Sequence, residues 1–171
     1  RKEQEELLLR NEHLVQDNCK VQKPEHLPFP KVLDVKPMVV GMRRGDTAAG
    51  KHGFHVHEYG DIRDGCKSGC SHFNPDNKIH GGRNSKIRHV GDLGNITANQ
   101  KKIAYGYFFD NLISLDYKNK NCILGRMIVI HKDKDDLGKG NNEESLITGN
   151  AGDRIACGII GICKPTSNKT K

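Results

Sequence analysis

The chain contains no tryptophan and few other aromatic residues, which limits the kind of core it can form. Aromatic residues make up 5% of its 171 residues, and hydrophobic residues make up 35%. This length is enough for one domain with a buried core, but that core has to be mainly aliphatic. The 19 glycines favour a turn-rich β protein over a helical bundle.

Long hydrophobic runs are also missing from the sequence. No apolar run approaches the length of a transmembrane helix, and no signal peptide is visible, so we expect no membrane partner. The formal net charge is +7, but the basic residues are scattered, with no sustained basic helix and no interleaved aromatic residues. This distribution argues against a nucleic-acid partner and leaves a polyanionic surface or a small anion as the binding partner.

Cysteine is too scarce for a disulfide scaffold of this length, although it allows one or two bridges. In a reducing cell the same residues would be free thiols. The six cysteines are Cys19, Cys66, Cys70, Cys122, Cys157 and Cys163.

The residue composition and the spacing of apolar residues change along the chain and predict three segments. Early acidic residues and a shared apolar face predict a helix over residues 1–18, and three prolines predict an irregular linker over 19–30. We therefore divide the chain into a divergent N-terminal segment at 1–30, a main domain at 31–165 and a polar tail at 166–171.

Within the main domain, short apolar or alternating runs predict β-strands. These runs are KVLDVK, MVVGM, GFHVHE, IAYGYFF, ILGRMIVIH and IACGIIGI. Two long polar stretches, residues 60–95 and 133–153, lie between them and show almost no periodicity. Because loops of that length are usually functional or disordered, we expect an all-β domain that carries its function on two long loops.

The run GFHVHE places His55 and His57 on either side of Val56. In a β-strand the two imidazoles would lie on one face and the valine on the other. Two neutral imidazoles on one face suit a bound metal ion, whereas the alternative is a pair of surface histidines on a half-exposed strand.

Five further histidines lie in or near the same loop and strands, and they allow two metal sites to be drawn. Three imidazoles, those of His55, His57 and His131, suit copper. The loop residues His80, His89 and Asp92 offer two nitrogens and a carboxylate, which suit tetrahedral zinc with one ligand lacking.

His72 lies between the two sets in sequence, and its imidazolate would complete both sites by binding one metal on each side. The alternative is a zinc finger built on Cys66, Cys70 and His72. Such a finger needs a second Cys/His pair at finger spacing, for which HGGRNSKIRH is a poor substitute.

Several motifs resemble the copper/zinc superoxide dismutase family from about His52 to Ile162. They are HGFHVHEYGD, SHFNP, HGG, RHVGDLGNIT, GRMIVIH, DDLGKG, EES and TGNAGDRIACGIIGI. The resemblance implies an all-β Greek-key β-barrel or sandwich with two long functional loops. The family opens with short strands in hairpins, so the helical and proline-rich start predicts that the first hairpin is missing, replaced or strongly diverged.

The resemblance also implies roles for individual residues. The copper ligands would be His55, His57, His72 and His131, and the zinc ligands would be His72, His80, His89 and Asp92. Asp135 would be the carboxylate that links two of these histidines, His55 and His80, and fixes their rings. Cys66 and Cys157 would form a disulfide that ties the first loop to the last strand.

The implied activity is dismutation of superoxide to dioxygen and hydrogen peroxide by alternate reduction and oxidation of the copper, beside a structural zinc. Arg154 would be the catalytic cation next to copper, and His72 would also carry a proton. The substrate channel would be lined by Thr148, Glu143 and Glu144. The alternative on the same scaffold is a non-catalytic copper- and zinc-binding or copper-delivery module.

Superoxide, a copper chaperone and a second copy of the chain in a homodimer are the partners that the resemblance implies. The motifs are more similar to the intracellular than to the secreted form, so we expect a cytoplasmic protein, with secretion as the alternative. The chain departs from the family at Ile147, where many members carry a lysine, and at Cys70 and Ser71, which replace a Gly-Pro pair.

Overall fold

The computed structural model describes residues 48–104 and 108–162. The predicted helix at 1–18, the linker at 19–30 and the strands KVLDVK and MVVGM lie outside the described residues. The predicted domain boundaries at residues 30 and 165 lie outside them too, and they stay a prediction.

Four antiparallel strands form one sheet and dominate the described part of the chain. They are β1 (Gly50–His57), β2 (Asp92–Ala98), β3 (Met127–His131) and β4 (Arg154–Ile159), in the spatial order β2-β1-β3-β4. The helices in the described ranges are two short 3-10 helices, Gly65–Gly69 and Glu144–Leu146, one in each long loop. The predicted all-β class is confirmed.

The sequence predicted β1, β3 and β4 but not β2. Most of β2 lies in the stretch 60–95, which we predicted to lack regular structure. Its alternation is broken because Gly94 has a φ of +80° and because the pairing with β1 shifts between Gly53 and His55.

The strand predicted at IAYGYFF is wrong at its described end, since Phe108 and Phe109 lie in no strand. At its start, Ala104 forms an isolated bridge with Ala98, and residues 105–107 lie outside the described residues. The strand predicted at ILGRMIVIH begins only at Met127, because the turn before it contains Gly125 at a φ of +76°.

The sheet separates an apolar core from a cluster of polar side chains. Phe54 and Val56 are fully buried on one face of β1, in a cluster with Phe73, Val90 and other apolar residues. Burying a side chain of this size stabilises the fold by about 1.5–3 kcal/mol. His55 and His57 alternate with them on β1 and project to the opposite face, as the pattern GFHVHE predicts.

The register of the sheet brings residues from distant parts of the chain to the same end. His55 pairs with Val129 on β3, and His131 pairs with Arg154 across an irregularity between β3 and β4. The end of β3 therefore carries His131 next to both His55 and Arg154.

The disulfide between Cys66 and Cys157 is present and joins the first 3-10 helix to β4, as predicted. The two residues are separated by 91 positions, and their Cα atoms lie 5.6 Å apart. Cys70 is an exposed free thiol and Cys122 a half-buried one, whereas Cys163 lies outside the described residues. In the described ranges, no helix has the length and apolarity that crossing a membrane requires.

The bridge should contribute strongly to stability because it closes a long loop. We expect Cys157→Ser to lower the free energy of unfolding of the metal-free protein by about 4–5 kcal/mol in the chain-entropy model. Urea denaturation measures this change, and Cys70→Ser, which alters a free exposed thiol, serves as the control. Equal stabilities for the two variants would contradict the expected contribution of the bridge.

Candidate metal centre

Four histidines from three parts of the chain meet at the end of β1 and β3. They are His55, His57, His72 and His131, and each is at most 5% exposed. One ring nitrogen from each of them lies within 4.8 Å of one nitrogen from every other. The structure thus brings together the residues from which the sequence predicted a copper site.

Hydrogen bonds on the far side of each ring fix which nitrogen faces the centre of this cluster. The Nδ1–H of His57 donates to the Cys70 carbonyl at 2.7 Å, and that of His131 donates to the Gly152 carbonyl at 2.9 Å. Their Nε2 atoms consequently face each other at 3.4 Å. Within the described residues, Nδ1 of His55 and Nε2 of His72 are buried and have no hydrogen-bond partner.

The chemistry of this donor set fits a copper ion. Desolvation by burial lowers the pKa of His57 to about 2, that of His72 to about 3 and that of His131 to about 4. These rings are neutral at pH 7, which is the form that binds a metal. Buried nitrogens without a protein partner, on rings whose other nitrogen is held, are the arrangement expected of imidazole ligands.

A second cluster shares His72 with the first. It consists of His72, His80, His89 and Asp92, all of them buried. Oδ1 of Asp92 lies 2.9 Å from Nδ1 of His72, 3.0 Å from Nδ1 of His80 and 3.1 Å from Nδ1 of His89. Three nitrogens around one carboxylate oxygen form the N₃O set that suits tetrahedral zinc.

Asp92 is itself held in place by the backbone. Its Oδ2 accepts hydrogen bonds from the N–H groups of His89, at 2.8 Å, and Gly81, at 3.1 Å. Hydrogen bonds from the surrounding histidines outweigh the opposing effect of burial and keep the pKa of Asp92 well below its usual range. The carboxylate is therefore ionised and presents Oδ1 to the cluster.

Asp135 connects the two clusters from behind. Its Oδ2 lies 2.9 Å from Nε2 of His55 and its Oδ1 lies 2.8 Å from Nε2 of His80, and the carboxylate is fully buried. Burial would lower the pKa of His80, but its hydrogen bonds to Asp135 and Asp92 raise that pKa to about 9. Asn95 on β2 exchanges two hydrogen bonds of 2.8 Å with the backbone of Asp135 and fixes its position.

A cavity of about 430 Å³ opens onto the first cluster. It is lined by two of the predicted channel residues, Thr148 and Glu144, and by Arg154, the predicted catalytic cation. The third predicted channel residue, Glu143, does not line it and is exposed at the start of the second 3-10 helix. The other lining residues are His57, Ser71, His72, His131, Ile147, Asn150 and Gly152. The sequence alone assigns no role to Asn150 and Gly152, and their position in the fold shows that they border the cavity.

Arg154 forms part of the wall of this cavity. Its guanidinium donates to the carbonyls of Cys66, at 2.7 Å, and Lys67, at 3.1 Å, and also to that of Cys70. These bonds hold the cation on the first loop, close to the disulfide. Asp136 organises the opposite loop by accepting hydrogen bonds from Ser145 and Asn150.

Sequence reasoning missed a buried ion pair that supports the second cluster. Arg88 donates to Asp110 at 2.7 Å, and both side chains are nearly inaccessible. A second nitrogen of the same guanidinium donates to the carbonyls of His89, Val90 and Asp92. Arg88 precedes His89 in the motif RHVGD, but Asp110 carries no local signal, so the pair is visible only in three dimensions.

We expect Asp135→Asn to weaken metal binding, because an amide cannot accept hydrogen bonds from both His55 and His80 through two ionised oxygens. The loss in zinc affinity should be about 10–100-fold. Competition with a chelator measures it, with Asp133→Asn, an exposed neighbour, as the control. Wild-type affinity in the Asp135 variant would show that the two rings are held by other groups.

Comparison with known proteins agrees with the geometry of the two clusters. A family model described as copper/zinc superoxide dismutase (SODC) matches residues 29–160. "Superoxide dismutase [Cu-Zn]" of Paramecium bursaria Chlorella virus 1 is 60% identical over 114 residues, which is 67% of this chain and 60% of that relative. The chain thus spans about 60% of the length of the viral relative.

Two further relatives are covered over more of their length. "Superoxide dismutase [Cu-Zn] 5" of Dictyostelium discoideum is 50% identical over 128 residues, which is 75% of this chain and 83% of the relative. "Superoxide dismutase [Cu-Zn]" of Schizosaccharomyces pombe is 53% identical over 118 residues, 69% of this chain and 75% of the relative. The chain belongs to the copper/zinc superoxide dismutase family.

Proposed function

We propose that the protein is a superoxide dismutase, which converts two superoxide anions and two protons into dioxygen and hydrogen peroxide. The observation that carries this proposal is the open cavity above a four-imidazole cluster that shares His72 with a second, closed cluster. Bound copper would supply the one-electron chemistry, being reduced by one superoxide anion and reoxidised by the next. Zinc, which is not redox-active, would order the loop.

The donor atoms assign the ligands. We assign copper to Nδ1 of His55 and to Nε2 of His57, His72 and His131, since those nitrogens face one another. We assign zinc to Nδ1 of His72, His80 and His89 and to Oδ1 of Asp92.

His72 has a second role in this proposal. Its Nε2 has no hydrogen-bond partner among the described residues, and the side chain lines the cavity. When Nε2 does not bind copper, a proton held there would face the cavity in which the anion binds. We assign to His72 both metal binding and the delivery of a proton.

Arg154 is the cation that we assign to anion binding. Among the described residues that line the cavity, Arg154 is the only lysine or arginine. Its hydrogen bonds to backbone carbonyls limit its movement. A planar guanidinium offers fixed donors to a small anion. We assign to Thr148 the narrowing of the entrance, because it lines the cavity and its hydroxyl donates to Oε1 of the lining residue Glu144 at 2.5 Å. Glu143, which does not line the cavity, would add negative charge near it.

A homodimer, a copper chaperone as metal donor and a cytoplasmic location complete the proposal. The dimer would use the exposed residues Tyr59, Ile159 and Ile162, of which Ile162 is 92% exposed. Gly60 and Gly125 lie so close together beside them that a Cβ on Gly60 would meet the Gly125 carbonyl oxygen at 2.0 Å. The cytoplasmic location rests on the similarity of the motifs to the intracellular form.

The activity is tested on protein loaded with copper and zinc, by measuring the removal of superoxide. We expect the loaded protein to be active and His131→Ala to lose copper and nearly all activity, because one of four imidazoles is gone. Lys132→Ala, an exposed neighbour, is the matched control and should keep both. Copper uptake without superoxide removal would contradict the proposal and favour the copper-delivery module.

The role of Arg154 predicts an effect on rate and on salt dependence. We expect Arg154→Ala to keep copper, to react at least about tenfold more slowly, and to respond less to ionic strength, because the attracting charge is lost. Ile147 is 57% exposed on the cavity wall, so Ile147→Lys should raise the rate at low salt. Arg63→Ala is the control, since Arg63 is exposed and does not line the cavity. An unchanged rate in Arg154→Ala would refute the assignment.

A further inference from the structure

A closed ring of backbone hydrogen bonds lies directly behind His72. The N–H of Phe73 donates to the Val56 carbonyl at 2.8 Å, the N–H of Gly91 donates to the Phe73 carbonyl at 2.9 Å, and the N–H of Val56 donates to the Gly91 carbonyl at 2.8 Å. Val56 lies between two ligands of the first cluster, and Gly91 directly precedes Asp92 of the second. The ring of bonds therefore joins the three segments that carry most of the proposed ligands.

The backbones of Val56, Phe73 and Gly91 pack too closely for one of them to shift alone. A Cβ on Gly91 would lie 2.1 Å from the Val56 carbonyl oxygen and 3.0 Å from the Phe73 nitrogen. The side chain of Phe73 is 4% exposed and packs into the core. Movement of Phe73 would thus be transmitted to the backbone of His72 and of both neighbouring segments.

The guanidinium of Arg126 covers the ring of Phe73. Its Cζ lies 3.5 Å from the ring centroid, which is the geometry of a cation–π interaction. Nε donates to the Cys122 carbonyl at 2.8 Å and Nη1 donates to the Glu58 carbonyl at 2.6 Å, so that three contacts fix the plane of the guanidinium.

The same guanidinium also reaches the other side of His72. Glu58, whose carbonyl accepts from Arg126, donates its own N–H to the carbonyl of Ser71 at 2.9 Å. Arg126 therefore contacts Phe73 directly and is linked to Ser71 through the backbone of one residue, Glu58. These are the two residues that flank His72 in the chain.

Arg126 does not line the cavity and belongs to neither cluster. Its own backbone is anchored independently, since its N–H donates to Ile123 and its carbonyl accepts from Ile160. We propose that Arg126 is a positioning residue for His72, an inference that rests on the proposed metal centre. Its guanidinium holds Phe73 directly and Ser71 through Glu58, and so sets the orientation of the imidazole that both clusters share.

The test compares Arg126→Lys with wild type and with Arg83→Lys. Lysine keeps the charge but lacks the planar group that stacks on Phe73 and reaches two carbonyls. Arg83 is the matched control, because its guanidinium lies 4.2 Å from the ring centroid of Phe108, which is not adjacent to any proposed ligand. Phe73→Leu is a second variant that removes the ring and keeps an apolar side chain in the core.

The readouts are the electron paramagnetic resonance spectrum of the copper- and zinc-loaded protein and the rate of zinc release to a chelator. We expect Arg126→Lys and Phe73→Leu to show a shifted Cu(II) spectrum and zinc release at least about tenfold faster than wild type, with Arg83→Lys unchanged. A purely structural role would lower the melting temperature and leave the spectrum as in wild type.

A folded Arg126→Lys protein with the wild-type spectrum and wild-type zinc release would overturn the inference. If Arg126→Lys does not fold, Phe73→Leu decides, and a wild-type spectrum there has the same meaning. Failure of the proposed function would look different, since wild-type protein itself would then remove no superoxide. An active wild type with an unaffected Arg126→Lys variant would refute the positioning role alone.

Discussion

The imidazole of His72 lies between two clusters of buried polar side chains and presents a different nitrogen to each. Its Nδ1 lies 2.9 Å from Asp92, and its Nε2 faces the nitrogens of the first cluster without a hydrogen-bond partner in the described ranges. The rest of the site depends on this placement. The strands position His55, His57 and His131 around one nitrogen, and the first long loop and the start of β2 position His80, His89 and Asp92 around the other.

Burying so many polar groups in one place is costly unless each has a partner. Asp92 and Asp135 meet that requirement for most of the histidines, and backbone carbonyls meet it for His57 and His131. Among the described residues, the buried histidine nitrogens without a hydrogen-bond partner are Nδ1 of His55 and Nε2 of His72, which face the first cluster, and Nδ1 of His80, which faces Asp92 in the second. The first loop is long and mostly polar, and it contributes only a few side chains, such as Phe73 and Val90, to the hydrophobic core. The ion pair of Arg88 and Asp110 and the disulfide add to its order, and metal binding would add further.

Sequence reasoning reached those features whose signal is local or carried by a motif. The alternation in GFHVHE predicted that His55 and His57 share a face, because the period of a strand is two residues. The strand β2 was missed because Gly94 and the register shift remove that alternation. The family resemblance supplied the Cys66–Cys157 pairing, which spacing alone did not provide.

Contacts between distant residues could not be predicted in this way. The stacking of Arg126 on Phe73, the ion pair of Arg88 with Asp110 and the bonds from Asn95 to Asp135 join residues 22 to 53 positions apart. Most of these residues stand in the motifs named above, but a motif does not show which side chains meet across the fold. Their roles follow from the sheet order and the loop paths, which bring them behind the two clusters.

The central claim is that one imidazole serves two metal ions, and a crystal structure of the copper- and zinc-loaded protein tests it most directly. Anomalous scattering measured at the absorption edges of the two metals locates each ion separately. A shared imidazole predicts a copper peak within bonding distance of Nε2 of His72 and a zinc peak within bonding distance of Nδ1 of the same ring. Two occupied sites of which either fails to contact His72 would contradict the claim.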